Sequence, residues 1–181
     1  EAIRTFALYY KKPADIVMCL DNSGSMQNNG GADGLRDALT KITDPSWLAG
    51  NQLYPSEYDS VSIYLFGTKV YQPFQMTGND SSNMMKFRDS VINNMQNMGS
   101  TALYDCAAIA LEAAITNQNP AHNAVVVLMT DGQRTAGWYR DQFVEYYRQT
   151  GTAIPIISIA FGDDASRELG YDDFGRYVNG L

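Results

Sequence analysis

Four apolar runs, separated by amphipathic stretches, constrain the fold of this chain more than any other feature. Three of the runs are almost continuously apolar instead of alternating, which is typical of strands covered by helices on both faces. Between the runs, apolar residues recur at helical spacing. Because strand and helix alternate, the pattern predicts an α/β fold with a doubly wound, mostly parallel central sheet and helices on both faces. The expected strands are residues 15–20, 61–66, 124–129 and 154–161, and the expected helices are residues 34–43, 83–95, 102–116 and 138–149.

One further strand is expected at an edge of the sheet. Residues 69–74 follow the strand 61–66 after a very short link, which suits a hairpin and therefore an antiparallel edge strand. Two segments are expected to be loops. Residues 27–33 are polar and turn-forming, and residues 44–59 are long, aromatic and proline-bearing. The aromatic loop either packs on the surface through its own side chains or contacts a partner.

Composition and charge exclude several classes of protein. With 45% hydrophobic and 18% charged residues among 181, the chain is not disordered and is expected to form one domain. The 13 Lys and Arg against 20 Asp and Glu give a net charge of −7, which argues against a nucleic-acid partner. No uncharged apolar run approaches the roughly 18 residues of a membrane span, so no direct membrane insertion is expected. Because residues 1–10 open within a helical pattern, we expect residues 1–181 to be one domain of a longer protein, with a lead-in segment at 1–12.

Two cysteines and one histidine limit the chemistry available to the chain. Cys19 lies in an apolar run and Cys106 lies near the start of a helix, so they form either one disulfide in an oxidising compartment or two buried free thiols. The single histidine, His122, precedes a strand and is expected in a loop. A zinc site with several histidines is therefore excluded.

The candidate functional residues lie where strands are expected to end. The first strand runs into residues 21–25, the third runs into residues 130–132, and the stretch 99–105 opens a helix. In an open α/β sheet, the carboxyl ends of the strands hold the ligand site. Hydroxyl and carboxylate oxygens are hard ligands, which suit Mg²⁺, Mn²⁺ or Ca²⁺. The residues expected to converge there are Asp21, Ser23, Ser25, Thr101 and Asp131.

Each of these residues also has a purely structural explanation. Asp21, Ser23 and Ser25 could form a turn and cap backbone groups after the strand. Thr101 could be the N-cap of the following helix. Asp105 falls in the first turn of that helix, where an acidic side chain suits the helix dipole, and it is expected to be structural. Structural roles explain the residues one at a time, whereas their combination favours a metal site.

The three stretches DNSGSM, GSTALYD and LMTDG together resemble the metal-ion-dependent adhesion site of von Willebrand factor type A domains. The resemblance extends from about residue 12 to about residue 174, and residues 12–17 and 159–164 are similar to bacterial members of the family. It implies a Rossmann-like fold. It also implies that Ser23 and Ser25 bind the metal directly, that Thr101 binds directly or through water, and that Asp21 and Asp131 act mostly through water and hydrogen bonds. The chain departs from the family pattern by inserting residues 27–33 before the first helix.

The function implied by this resemblance is that of a metal-dependent protein-binding or adhesion module. Its cofactor would be Mg²⁺, with Mn²⁺ or Ca²⁺ as alternatives, and its partner a protein that offers an Asp or Glu carboxylate. The resemblance favours an extracellular or cell-surface location over a cytoplasmic one. A scaffolding domain with a stabilising ion is the alternative. An enzyme such as a metal-dependent hydrolase is not expected, since Ser23 lies outside a G-x-S-x-G motif and no Lys-bearing phosphate loop is present.

Overall fold

The computed structural model describes residues 11–28, 30–161 and 165. The predicted helix at residues 1–10 lies outside these residues. Within them, no helix combines the length and the apolar character needed to cross a bilayer. The strands are β1 (Ala14–Asp21), β2 (Ser60–Phe66), β3 (Phe74–Thr77), β4 (Asn123–Thr130) and β5 (Ile156–Ala160), and the helices are α1 (Gly24–Asn28), α2 (Gly31–Ile42), α3 (Pro45–Gly50), α4 (Ser81–Asn94), α5 (Leu103–Thr116) and α6 (Arg140–Thr150).

The strands form a single five-stranded sheet in the order β3-β2-β1-β4-β5. All neighbouring pairs are parallel except β2 and β3, so the expected α/β architecture is confirmed. The central strand β1 lies between β2 and β4, and its Cys19 is in register with Tyr64 on one side and Leu128 on the other. The carboxyl ends of these three strands therefore meet at one edge of the sheet.

Helices cover the two faces of the sheet, and each face has its own core. One core contains Cys19 and Leu128 from the strands together with Leu111 of α5 and Phe143 of α6. The other contains Leu20 of β1, packed with side chains of α2 and α4. Successive strand residues such as Cys19 and Leu20 point to opposite faces, which explains why the runs are apolar throughout.

The two cysteines are free and completely buried in the first of these cores. Burial raises the pKa of the Cys106 thiol well above its usual value, and a hydrogen bond with Cys19 adds to the increase. The two cysteines are therefore buried free thiols that neighbour each other in the core, which is the second of the two arrangements allowed by the sequence.

The prediction of a loop at residues 27–33 is wrong. Helix α1 continues through Asn28 and α2 begins at Gly31. Gly30 has a φ of 73°, in the left-handed region that favours glycine, and so allows a sharp turn between the helices. The side chain of Met26 is fully buried and anchors the short α1 in the core.

The predicted loop at residues 44–59 is also helical in part. Asp44 is the N-cap of α3, and its carboxylate accepts hydrogen bonds from the N–H groups of Ser46 and Trp47. Pro45 occupies the first helical position, where its missing N–H costs nothing. The N-cap and the proline at the first helical position thus start a short helix in a segment whose composition is typical of a loop.

The antiparallel edge strand is confirmed, but its position is shifted toward the C-terminus. The prediction placed it at residues 69–74, whereas β3 runs from Phe74 to Thr77 and Ser60 is in register with Thr77. Nearer the link, an isolated bridge joins Phe66 and Val70. Pro73 lacks an N–H donor for a continuous ladder, so regular pairing starts after it.

Asp59 links the segment before β1 to the segment before β2 at the opposite end of the sheet, where the parallel strands begin. One carboxylate oxygen accepts the N–H of Ala14 at 2.8 Å, and the other accepts the N–H of Ser56 at 2.8 Å and the ammonium of Lys11 at 3.0 Å. Burial tends to raise the pKa of Asp59, but these hydrogen bonds outweigh it and hold the pKa below its usual value. The ionised carboxylate therefore stabilises the folded state.

We expect the Asp59→Asn variant to lower the free energy of unfolding by about 2 kcal/mol at neutral pH, since an amide cannot accept all three charge-assisted bonds. Because the folded-state pKa is lowered, the stabilisation is complete above the unfolded pKa of about 4 and disappears as the pH falls through the folded value. Urea unfolding between pH 7 and pH 3 measures this difference. Asp33→Asn, at an exposed carboxylate, is the matched control. A difference between variant and wild type that stays constant down to pH 3 would contradict the assignment.

Candidate metal centre

Asp21 is the last residue of β1 and its side chain is completely buried. One carboxylate oxygen accepts the N–H of Ser23 at 2.8 Å, and the other accepts the hydroxyl of Thr130 at 2.5 Å. Burial raises the pKa of Asp21; the hydrogen bonds from Thr130 and Ser23 oppose the increase, and the negative charge of Asp131 adds to it. The carboxylate thus joins the ends of β1 and β4 and shapes the turn that follows β1.

That turn brings both serine hydroxyls toward Asp131. The Oγ atoms of Ser23 and Ser25 lie 3.1 Å apart, and Ser25 Oγ donates to Asp131 Oδ1 at 2.7 Å. The structure therefore places the hydroxyls of 23 and 25 and the carboxylate of 131 in one connected cluster.

The second carboxylate oxygen of Asp131, Oδ2, is buried and has no hydrogen-bond partner among the residues that the structure describes. Buried polar atoms are almost always paired, and a charged atom left without a partner costs more than a neutral one. The cluster therefore has unused acceptor capacity at its centre. Among the residues that the structure describes, no three His, Cys, Asp or Glu side chains gather to hold a metal. A cation at this edge would be coordinated in part by hydroxyl oxygens, a donor set that fits Mg²⁺, Mn²⁺ or Ca²⁺.

Thr101 is held at the same edge by hydrogen bonds of its backbone. It is buried; its N–H donates to Thr135 Oγ1 at 2.8 Å, and its carbonyl accepts the N–H groups of Thr135 and Ala136. Its hydroxyl takes part in none of the hydrogen bonds between described residues. Thr101 is not the N-cap of α5, a role that falls to Ala102. The hydroxyl of Thr101 is therefore available to a ligand, although no hydrogen bond joins it to Ser23 or Ser25.

The loop that carries Thr101 is tied to the turn after β1. The N–H of Gly24 donates to the carbonyl of Gly99 at 2.9 Å, and the N–H of Met98 donates to the carbonyl of Asn22 at 2.9 Å. Gly67, at the end of β2, packs so closely that a Cβ there would overlap the backbone carbonyl of Met98. These backbone contacts bring the Thr101 loop to the same edge as Asp21, Ser23, Ser25 and Asp131.

The sequence interpretation missed several residues that support the cluster. Thr130 holds Asp21 through its hydroxyl, and Thr135 holds the backbone of Thr101. Thr130 directly precedes Asp131 at the end of an apolar run, which is a signal that could have identified it, whereas nothing near Thr135 does so. Asp105 has the structural role expected of it, since its carboxylate accepts the N–H of Trp138 at 2.8 Å.

A family comparison matches residues 16–133 to the von Willebrand factor type A domain. None of the curated proteins compared matches the chain in sequence. Proximal thread matrix protein 1 from the mussel byssus has a similar structure (TM-score 0.64, 20% identity, 87% of this chain and 40% of that one). A form of the same protein with a zinc-occupied MIDAS motif is also similar (TM-score 0.62, 17% identity, 93% and 44%).

Manganese-loaded TRAP protein from Plasmodium vivax is a further structural neighbour (TM-score 0.64, 15% identity, 87% of this chain and 60% of that one). The chain therefore spans 40 to 60% of the length of these proteins. At such low identity the similarity establishes the fold, a mostly parallel sheet flanked by helices, and leaves the chemistry of the site to its own residues.

Proposed function

Because the chain belongs to the von Willebrand factor type A domain family, we propose that it is a protein-binding and adhesion module that depends on a bound divalent cation. The cation would be held at the carboxyl edge of the sheet, and the partner would be a protein that presents an Asp or Glu side chain. The residues proposed to hold it are Asp21, Ser23, Ser25, Thr101 and Asp131.

The observation that carries this proposal is the unpartnered oxygen of Asp131. It is a buried carboxylate oxygen beside the hydroxyls of Ser23 and Ser25. A cation satisfies this oxygen, whereas a purely structural turn leaves it unpaired. The alternative that the serines only cap a turn explains the bond from the Ser23 N–H to Asp21 but not the buried oxygen.

The division of charge in the cluster favours an incoming anion. Asp21 already accepts hydrogen bonds on both oxygens, so much of its negative charge is compensated by the contacts that hold β1 and β4 together. Ser23, Ser25 and Thr101 would contribute neutral oxygens. A bound Mg²⁺, or Mn²⁺ or Ca²⁺ in its place, supplies the positive charge and the open position that attract a partner's carboxylate. The net charge of −7 does not oppose this, because the attraction is local.

The structural neighbours support the choice of a divalent cation, since one is manganese-loaded and another has zinc in its MIDAS motif. We further propose a setting outside the cell or at its surface, in keeping with the byssal thread protein among these neighbours. The proposal includes no catalytic step. His122, the single histidine, lies at the opposite end of the sheet beside Asp15 and cannot serve as a base at this site.

The test is capture of partners from a native extract on the immobilised protein in the presence of Mg²⁺. We expect captured proteins to be released by EDTA and recaptured when Mg²⁺ is restored. Capture should be lost with Ser25→Ala and kept with Ser60→Ala, whose hydroxyl binds Asp15 at the far end of the sheet. Capture that survives both EDTA and Ser25→Ala, in a protein whose melting temperature still rises with Mg²⁺, would instead identify a scaffolding domain with a stabilising ion.

A further inference from the structure

A small recess lies between α5 and α6, beside the candidate metal centre. Its volume is about 210 Å³, enough for one long side chain. Two aromatic rings form one wall: Trp138 and Tyr146 lie with their centroids 5.6 Å apart and their planes at 81°. We call it the side pocket, and its lining residues are Asp105, Ala108, Ile109, Glu112, Trp138 and Tyr146.

The side pocket is acidic as well as aromatic. Glu112 is exposed, and neither Glu112 nor Asp105 belongs to any ion pair among the described residues. Asp105 uses one oxygen to hold the N–H of Trp138, which leaves its other oxygen for a ligand. Two carboxylates and two aromatic rings around one small cavity attract an organic cation, through charge and through the faces of the rings.

Arg134, a cation in the loop before α6, is engaged elsewhere. Arg134 lies over the ring of Tyr139, 3.7 Å from its centroid, and donates to the carbonyls of Gly137 and Trp138. Its guanidinium holds the backbone of Gly137 and Trp138 in place and forms no ion pair with Asp105 or Glu112. Because neither Asp105 nor Glu112 has an ion-pair partner among the described residues, both carboxylates can take a cation from outside.

The side pocket and the proposed metal centre share their supporting loop. Thr135 and Ala136 donate to the carbonyl of Thr101, and Trp138, two residues further on, donates to Asp105. Asp105 lies in the first turn of α5, four residues beyond Thr101, and Glu112 lies about two turns beyond Asp105, so the pocket extends about 10 Å along α5. Two to four residues of an extended partner segment, at about 3.3 Å each, cover this distance.

We infer that the side pocket takes a Lys or Arg side chain of the same partner whose carboxylate is recruited at the metal centre. The partner segment would then carry an acidic and a basic residue two to four positions apart. The link to the carboxylate rests on the proposed function, whereas the affinity of the side pocket for a cation does not.

The side pocket can be probed by itself with n-butylammonium. The chain has two tryptophans, so the indole N–H signals of Trp138 and Trp47 are easily assigned in an NMR titration. We expect a saturable shift of the Trp138 signal only, and no saturable shift with n-butanol or n-butyrate. Glu112→Gln should weaken the effect about fivefold, whereas Glu145→Gln, which removes an exposed charge from α6, should leave it unchanged. Equal responses to the cation, the alcohol and the acid would overturn the inference.

The link to the metal centre requires bifunctional probes. The probes are Gly/Ser peptides with one Asp and one Lys separated by two to four positions. In the presence of Mg²⁺, we expect the lysine peptide of at least one spacing to bind the protein about fivefold more tightly than the same peptide with norleucine in place of lysine. Trp138→Leu should remove this advantage. Equal binding of lysine and norleucine peptides at every spacing, with binding still released by EDTA, would overturn the inference and leave the proposed function intact. Binding of neither peptide would count against the metal-dependent function, and the butylammonium titration would still decide the pocket.

Discussion

Asp131→Asn is expected to weaken Mg²⁺ binding at least about a hundredfold in calorimetric titrations, equivalent to about 2.7 kcal/mol. The amide keeps the shape of the side chain and an acceptor for the Ser25 hydroxyl. It loses the charge on the buried oxygen that we propose faces the cation. The same substitution removes a negative charge that acts on Asp21, so the metal-free variant should be at least as stable as the metal-free wild type.

The two expectations together separate a metal ligand from a structural residue. Excess Mg²⁺ should raise the melting temperature of the wild type and not that of Asp131→Asn, because only the wild type gains binding energy in its folded state. Asp89→Asn, at an exposed carboxylate next to Arg88, controls for the change in net charge and should behave as the wild type does. An Asp131→Asn variant that binds Mg²⁺ normally would remove the basis of the proposed function.

Gly67→Ala is expected to lower the free energy of unfolding by about 3 kcal/mol. The new methyl group would overlap the backbone carbonyl of Met98, and a backbone cannot move aside as a flexible side chain can. Because the loop that follows Met98 carries Thr101, we also expect about a tenfold loss of Mg²⁺ affinity. Urea unfolding and calorimetry measure the two effects.

Gly34→Ala provides the matched control for this substitution. Gly34 lies within α2, and a Cβ there meets no atom within 4 Å. The change should leave stability the same or raise it by up to about 1 kcal/mol, since alanine is the better helix former. If Gly67→Ala were as stable as Gly34→Ala, the close approach of β2 to the Met98 loop would be wrong.

The sequence is sufficient to predict the sheet because the physics of the strands is local. The runs that became β1, β2 and β4 are apolar on both faces, which is typical of strands in a parallel sheet covered by helices. Once β1 and β4 are parallel and adjacent, the residues that follow them must share an edge, so Asp21 and Asp131 meet there. The prediction of a common site for these two residues depends on the direction and the adjacency of the two strands.

Details that depend on contacts between distant segments could not be predicted. The bond from Thr130 to Asp21 and the bond from the Thr101 N–H to Thr135 each require the fold to be known first. Two other misjudgements have local causes. Gly30 closes a sharp turn between two helices, where polar composition alone indicated a loop. Pro73 similarly delays β3 by interrupting the ladder, whereas link length alone indicated pairing from residue 69.

The hydrogen bonds that Asp59 accepts have a geometrical consequence for any longer polypeptide that includes this chain. Lys11 is held there, at the amino ends of the parallel strands, whereas Asp21 marks their carboxyl ends. The eight residues of β1 separate these two poles by about 26 Å. A tether joined ahead of Lys11 would therefore hold the domain by its base and present the cluster around Asp131 outward, toward whatever approaches from solution.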